Sequence, residues 1–599
     1  MTGEELALLG RTAAHLRPAQ VAHRARLRAQ AAALHRWPEA GQWLLTGPWL
    51  AGGRRGGPIP AAAPGWPPDF APLDATALTV TPRHWPAPAQ LRAGQIRLLG
   101  VTRRLSVTEH GRPADGDQAD WEQADWEQAR APRLWRFHLH YWDWAWGLAA
   151  TPDRAAARQL FGRLWRSWRT SCAFGSGDAW LPYPTALRAW SWCGLYRDLV
   201  AGSALDAEFR WELAVHAGFL RRHLEADVGG NHLIKNLKAL AGLGVFLGDG
   251  PLLDRALRLL AGQLAIQVLP DGGHYERSPA YHCQVLADLI DVADLLSASG
   301  HVPPPALTLA IARMRRWLGV VLAPDGSVPL LNDGYPVPGP LVAALRPAPA
   351  PARPLLTLAD TGLIRAVAGD WHLLADVGAP CPDELPAHAH ADTLGCLLHV
   401  GGEPVLVDTG TSTYAAGPAR GYERSTAAHN TVEIDGADST EVWGAFRAGR
   451  RARVYGQASR AADGSLTARA AHDGYRHLRG RPCHRRRWSL TGSGLEVDDK
   501  VTGTGRHEVA VRWHLPPGAR VRLVPGGAAV WTTAGELTVG ITGSEPLSLE
   551  VQAAPVATGF LRTAAAPVLT CRLSANLPIR LSTTWRRASS DLPGRRRPS

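Results

Sequence analysis

The chain has 599 residues, 45% hydrophobic and 20% charged, the ordinary proportions of a globular protein but too long for a single core. No run of about 20 uninterrupted apolar residues occurs, which excludes a membrane-spanning helix. The net charge of +12 is carried almost wholly by Arg in a chain rich in Ala, Gly and Pro. That pattern marks a GC-rich genome as much as an anionic partner, and no nucleic-acid-binding motif accompanies it.

Met1-Thr2-Gly3-Glu4-Glu5 lacks the basic stretch and apolar core of a secretory signal, so the sequence as written predicts a cytoplasmic location. Cys172, Cys193, Cys283, Cys381, Cys396, Cys483 and Cys571 form no Cys-x-x-Cys pair, which argues against a disulfide framework and a thiolate zinc site.

From about Gln20 to Leu345 apolar residues recur at helical spacing. Leu233, Leu237, Leu240, Leu243 and Leu247 form one face, and Leu253, Leu257, Leu260, Leu264 and Val268 another. Helix following helix over residues 1–345, each with a face to bury, predicts a helical toroid or bundle. Within this stretch Gln118-Ala-Asp-Trp-Glu122 is repeated at once as Gln123-Ala-Asp-Trp-Glu127, a tandem duplication of a surface loop with no evident chemistry. The aromatic run Tyr141-Trp-Asp-Trp-Ala-Trp146 suits sugar stacking, although helix-core packing is the commoner use of such residues. The Pro/Ala segment 346–356 then reads as a semi-rigid linker. Beyond it the period becomes two: Val405-Leu-Val407, Thr431-Val-Glu-Ile434 and Val509-Ala-Val-Arg-Trp513 lie between Gly-rich turns, predicting an antiparallel β-sandwich over 357–585. Residues 586–599 form a basic tail.

Three clusters carry chemistry. Gly229-Gly-Asn-His232 opens a helix, where unpaired N–H groups and the helix dipole favour an anion, and where Asn231 and His232 can meet a carboxylate; Asn231 also suits a plain N-cap. Asp271-Gly-Gly-His-Tyr-Glu-Arg-Ser-Pro-Ala-Tyr-His282 leads through a turn into a helix begun by Pro279, with Tyr281 in its first turn. A tyrosine there can act as base and acid, or serve only as a half-buried turn residue. In Pro386-Ala-His-Ala-His-Ala-Asp392, read as a strand, His388 and His390 face the same way. With Asp408 and His429 they are the residue types that hold Zn²⁺, but they spread over some forty residues, and spacing alone leaves a metal undecided.

At these residues the chain resembles the heparinase II/III family. His388-Ala-His-Ala-Asp392, Val407-Asp-Thr-Gly410, Arg424-Ser-Thr-Ala-Ala-His-Asn430 and Trp443-Gly444 are similar to its C-terminal domain. Gly230-Asn-His-Leu233, Asp271-Gly-Gly273, Ser278-Pro-Ala-Tyr-His282, Leu134-Trp-Arg-Phe-His-Leu-His-Tyr141 and Pro182-Tyr-Pro-Thr185 are similar to its helical domain. The resemblance runs from roughly Leu16 to Arg580.

It implies an incomplete (α/α) toroid followed by a β-sandwich, with an active site in the cleft between them. It also implies a polysaccharide lyase of the alginate- or heparin-lyase kind, cleaving an acidic, uronate-containing glycan by β-elimination. On this reading Asn231 and His232 neutralise the uronate, Tyr281 is base and acid, and His388 is the partner base. Tyr422 and Arg424 contact substrate, and His390, Asp408 and His429 hold a structural Zn²⁺. No organic cofactor is implied.

Hydrolysis would instead need two opposed carboxylates, and Glu276, Asp383, Glu384 and Asp392, the acids nearest these clusters, show no such pairing. A uronyl C5-epimerase needs the same residues, and a non-catalytic glycan-binding protein needs only the cleft. Many members of the family are exported, which contrasts with the cytoplasmic expectation here.

Overall fold

The computed structural model describes residues 3–50, 65–68, 70–73, 85–105 and 124–588. The first copy of the tandem pentapeptide and the arginines at 595–597 lie outside these residues. In the second copy Trp126 is buried, stacks on Trp142 with ring centroids 5.7 Å apart, and donates its indole N–H to Ser167 at 2.9 Å. That half of the repeat serves the core.

The chain divides as its periodicity predicts. Helices succeed one another from Gly3–Ala13 to Gly339–Leu345 around one apolar core, an incomplete (α/α) toroid. Antiparallel sheets of five, eight and four strands follow, from Leu355–Leu358 to Ile579–Arg587, around a second core. Short elements of the other kind interrupt each half. Gln95–Leu98 and Val101–Arg104 form a hairpin in the helical half, and Pro418–Arg424 is a helix in the β half. The hairpin closes through Leu99 and Gly100, both at positive φ, the geometry that a two-residue turn requires.

The helix Gly230–Leu247 is central to the first half. It packs on Pro182–Leu199, Gly250–Gln267 and Pro279–Ala298, and 16 of its 18 residues are buried. A helix buried on every side must also bury its polar residues. Lys235 and Lys238 manage this by pairing with Asp288 at 2.7 and 2.8 Å, Lys238 also reaching Asp291. The leucine stripe is therefore only part of the buried surface.

The Trp-rich run divides by position. Trp142 and Trp144 are core residues, whereas Tyr141 and Trp146 line the cleft. Arg188 sits wholly buried among the indoles, 4.3 Å above the Trp168 ring, donating to His216 at 3.0 Å and to the Ala179 carbonyl at 2.8 Å. Burial drops its pKa to about 9.

The Pro/Ala segment is seated rather than free. Ala348 donates its N–H to the Arg315 carbonyl at 3.0 Å, and a Cβ at Gly319 would overlap the Ala348 carbonyl. The β half shows strict alternation where it faces water on one side: Cys483–Thr491 buries every second residue. Its core holds a buried ion group in which Arg486 grips Asp499 at 2.7 and 3.0 Å and His484 donates to the same carboxylate at 2.7 Å.

Burial alone would raise the Asp499 pKa, but Arg486 and His484 bring it down to about 2. A depressed carboxylate stabilises the fold fully above its ordinary pKa near 3.8, and this stabilisation is lost as pH falls through about 2. Asp499→Ala strands a buried guanidinium and should cost roughly 3–5 kcal/mol, measured as a lower urea midpoint at neutral pH. A loss below about 1 kcal/mol would mean that water reaches Arg486.

Candidate active site

Between the two halves lies a cleft of about 830 Å³. Asn231, His232, Glu276 and Tyr281 line it from the helical side, and His388, Tyr414, Phe446 and Phe560 from the other. Four sequence-derived candidates, Asn231, His232, Tyr281 and His388, thus come together from segments far apart in the chain.

The helix start that carries Asn231 holds an anion, and the anion is the protein's own. Gly229 and Gly230 take positive φ, and a Cβ on Gly230 would overlap the Glu276 carboxylate. Glu276 accepts the Asn231 backbone N–H at 2.9 Å and its side-chain amide at 3.0 and 3.3 Å. The helix dipole and these donors suit a buried carboxylate. Burial would raise its pKa, but His388, His274 and Asn231 hold it below the ordinary value. Asn231 is therefore not the N-cap, a position held by Gly229. Its Oδ1 is buried without a partner.

His232, one residue on, accepts or donates at 3.1 Å with Glu225 and stacks at 4.1 Å on Tyr183. Burial opposes its charge, but Glu225 prevails and raises its pKa.

Tyr281 lies in the first turn of the helix Pro279–Ala298. Its ring lies 3.9 Å from that of His388, and its hydroxyl is 2.9 Å from the Tyr414 hydroxyl. Burial first, then Tyr414 and Asp333, push the phenol well above 10, so that it stays protonated at neutral pH.

His388 does not lie on a strand. It occupies a turn before Cys396–Val400, and the strand reading is corrected: His388 and His390 converge because they grip the two oxygens of one carboxylate. His388 Nδ1 meets Asp333 Oδ2 at 2.8 Å and His390 Nε2 meets Asp333 Oδ1 at 2.9 Å. Arg420 clamps both oxygens, at 2.9 Å to Oδ2, and Thr411 donates at 3.1 Å. Burial would raise Asp333, but Arg420 and the two histidines hold it well below the carboxylate range. With Nδ1 committed, His388 turns Nε2 toward the cleft, 3.5 Å from Glu276.

Asp333, Arg420, Glu276 and Tyr414 were not found among the sequence candidates. Asn332-Asp333-Gly334 reads as a turn tripeptide, and nothing local to it reports a partner 55 or 87 residues away.

Two expected substrate contacts stand elsewhere. Arg424 is buried and spends its guanidinium on the backbone carbonyls of Ala389, Trp443, Gly444 and Arg447, at 3.0–3.3 Å. It holds the loop bearing His388 rather than a ligand. Tyr422 is half-buried, its pKa pushed up to about 12 by burial, and it does not line the cleft either.

Behind the cleft the His390 and His429 rings lie 5.2 Å apart, and His429 Nδ1 bonds Asp408 at 2.8 Å. Among the described residues no three His, Cys, Asp or Glu side chains are grouped closely enough to hold a metal ion. The donor chemistry nevertheless fits one. His390 Nδ1, His429 Nε2 and both oxygens of Asp392 are buried without a hydrogen-bond partner. Each imidazole is backed by a carboxylate on its other nitrogen, the usual support of a metal-binding histidine.

Gly230→Ala tests the helix start. The left-handed backbone alone should cost roughly 1–3 kcal/mol, and the Cβ must displace Glu276 as well. A lower melting temperature is expected; an unchanged one would show that Glu276 does not occupy the helix start.

Comparison with known proteins places this architecture. The model of the heparinase II/III N-terminus matches residues 104–344, and that of the heparinase II/III-like C-terminal domain matches residues 350–577. A protein of Caulobacter vibrioides (strain NA1000 / CB15N) named FtsZ-localized protein C is 29% identical over 471 residues, 74% of this chain and 77% of its own length. The crystal structure of heparinase III superposes with a TM-score of 0.68 at 15% identity, over 94% of this chain and 92% of that one. A heparan sulfate lyase mutant from Pedobacter heparinus gives 0.59 at 15% identity, over 96% and 90%. At that identity the two structures speak for the fold. With both halves matched in order, and with the matched motifs meeting at one cleft, the chain belongs to the heparinase II/III family.

Proposed function

We propose that this protein is a polysaccharide lyase that cleaves an acidic, uronate-containing glycan by β-elimination. The supporting observation is the meeting of Tyr281, His388 and Asn231 in one cleft, the first two with rings 3.9 Å apart. The fold neighbours are named as heparinase III and heparan sulfate lyase, and the family likeness carries that chemistry to this chain as a reading.

The geometry suggests a division of labour. His388 Nε2, its other nitrogen fixed by Asp333, takes the C5 proton. The protonated Tyr281 gives its proton to the leaving oxygen as the C4–O bond breaks and the C4–C5 double bond forms. A uronate arriving here meets Glu276 as well as Asn231. Two carboxylates at hydrogen-bond distance cannot both stay ionised, so a proton shared between them neutralises the uronate, assisted by His232, while Asn231 acts through Glu276, to which its amide donates. Stabilising the resulting enolate-like charge is the largest demand of such a reaction.

We also assign a structural Zn²⁺ to His390, His429 and a carboxylate, with Asp408 the residue matching the family pattern and Asp392 offering unpaired oxygens. When bound, the ion would brace the turn that carries His388.

Tyr281→Phe should keep the fold and glycan binding yet lower turnover by roughly 10²–10⁴-fold, followed as the ultraviolet absorbance of an unsaturated uronate. Near-normal product formation by the variant would remove Tyr281 from the mechanism. Proton exchange at C5 without unsaturated product would make the enzyme a C5-epimerase instead. Elemental analysis should find one zinc per chain, and a chelator should lower the melting temperature. A metal-free protein whose melting is unmoved by chelator and by added zinc would overturn the assignment.

A further inference from the structure

We infer that the first two helices of the chain form a strap that shuts one end of the cleft, so that a glycan enters by a chain terminus and is shortened from there. The inference rests on the lyase reading above and adds to it the mode of attack.

The strap lies outside the segments, 104–344 and 350–577, that match the family models. It comprises Gly3–Ala13 and the start of Pro18–Arg36. Thr12, Leu16, Gln20 and Arg24 recur at every fourth position along it, and all of them line the cleft.

Its contacts reach both walls. On the β side Arg11 donates to Glu441 at 2.8 Å, Trp443 donates its indole N–H to Thr12 at 3.0 Å, and Arg17 pairs with Glu384 at 2.5 Å. On the helical side Arg24 meets Asp227 at 3.2 Å, and His23 bonds the Leu224 carbonyl at 2.7 Å. Gln20 joins the two walls. Its amide nitrogen donates to the Asp227 carbonyl at 3.0 Å and to the Glu384 carbonyl at 3.3 Å.

Two oxygens that share one donor nitrogen leave no passage for a pyranose between them, so the walls are closed at this point. The closure falls beside the reacting groups. Asp227 precedes Asn231, and Glu384 precedes His388, by four residues, a reach of at most about 14 Å of chain. From Tyr281 the lining runs to Tyr414 and Phe560, whose rings are 5.4 Å apart, and meets solvent at Leu561, 46% exposed.

A chain cut internally must continue past the reacting bond in both directions. Here one direction ends at Gln20 within a few sugars, so a polymer reaches Tyr281 and His388 by its terminus. Internal stretches are rejected because seating them would break the Gln20 and Arg17 contacts, a specificity built on exclusion.

The test uses the full-length protein with hyaluronan, unsulfated heparan and polymannuronate, each in defined lengths. Unsaturated product is followed by absorbance, polymer mass by light scattering and binding by calorimetry. Short unsaturated products should appear from the first turnovers while the mean mass of the polymer falls slowly. Calorimetry should find one protein bound per chain, whatever the chain length. Arg17→Ala with Gln20→Ala should open the end, so that mean mass falls several-fold faster for the same number of bonds cut. Arg17→Ala alone, at an exposed side chain, should move the pattern the same way, and it serves if the double variant melts early.

A wild-type polymer mass that collapses at the first turnovers would overturn the inference and leave the lyase reading standing. Bound protein that increases with chain length would overturn it whether or not product forms, as would binding to none of the polymers. An unshifted pattern in a folded variant would remove the strap from the mode of attack. One protein per chain with no unsaturated product would sustain the closed end and end the lyase reading.

Discussion

One buried carboxylate holds the site together. Asp333 follows the last long helix of the first half, and every group that it accepts from belongs to the second half: His388, His390, Thr411 and Arg420. A lone ionised carboxylate in that position would be prohibitively desolvated, so the two halves must dock before it can be buried. Docking and site assembly are thereby one event. The same contact fixes which nitrogen of His388 is free, and so which side of the ring faces the cleft.

Glu276 repeats the arrangement across the cleft. Its charge is balanced by a helix start, two Asn231 donors and nearby imidazoles rather than by a cation. The site therefore holds fixed negative charge surrounded by neutral or weakly basic donors.

Buried polar groups differ in how fully they are satisfied. Away from the cleft, Arg486, His484 and Asp499 form a closed buried triad. Near the cleft, buried polar atoms remain open: Asn231 Oδ1, His390 Nδ1, His429 Nε2 and the Asp392 oxygens. Open valences of this kind cost stability, and those beside the cleft stand where a ligand or an ion can satisfy them.

Much of this was legible in the chain itself. The change from a 3.6-residue period to a two-residue period marked the two halves, because burial of one face is a local property of spacing. The motifs around Asn231, Tyr281 and His388 were visible because each is a dense local string of polar residues beside Gly or Pro. What depended on partners distant in sequence was not visible. The string His388-Ala-His390 looks like a strand, and only the reach of Asp333 makes it a turn with both imidazoles on one carboxylate. Arg424 looks like a ligand contact, and only its burial among four carbonyls makes it a clamp. Asp333, Arg420 and Tyr414 carry no local mark at all. Local periodicity determined the two halves and their order. Tertiary contact alone decided which charges meet, because a carboxylate's partners are chosen by distance in space and not by spacing along the chain.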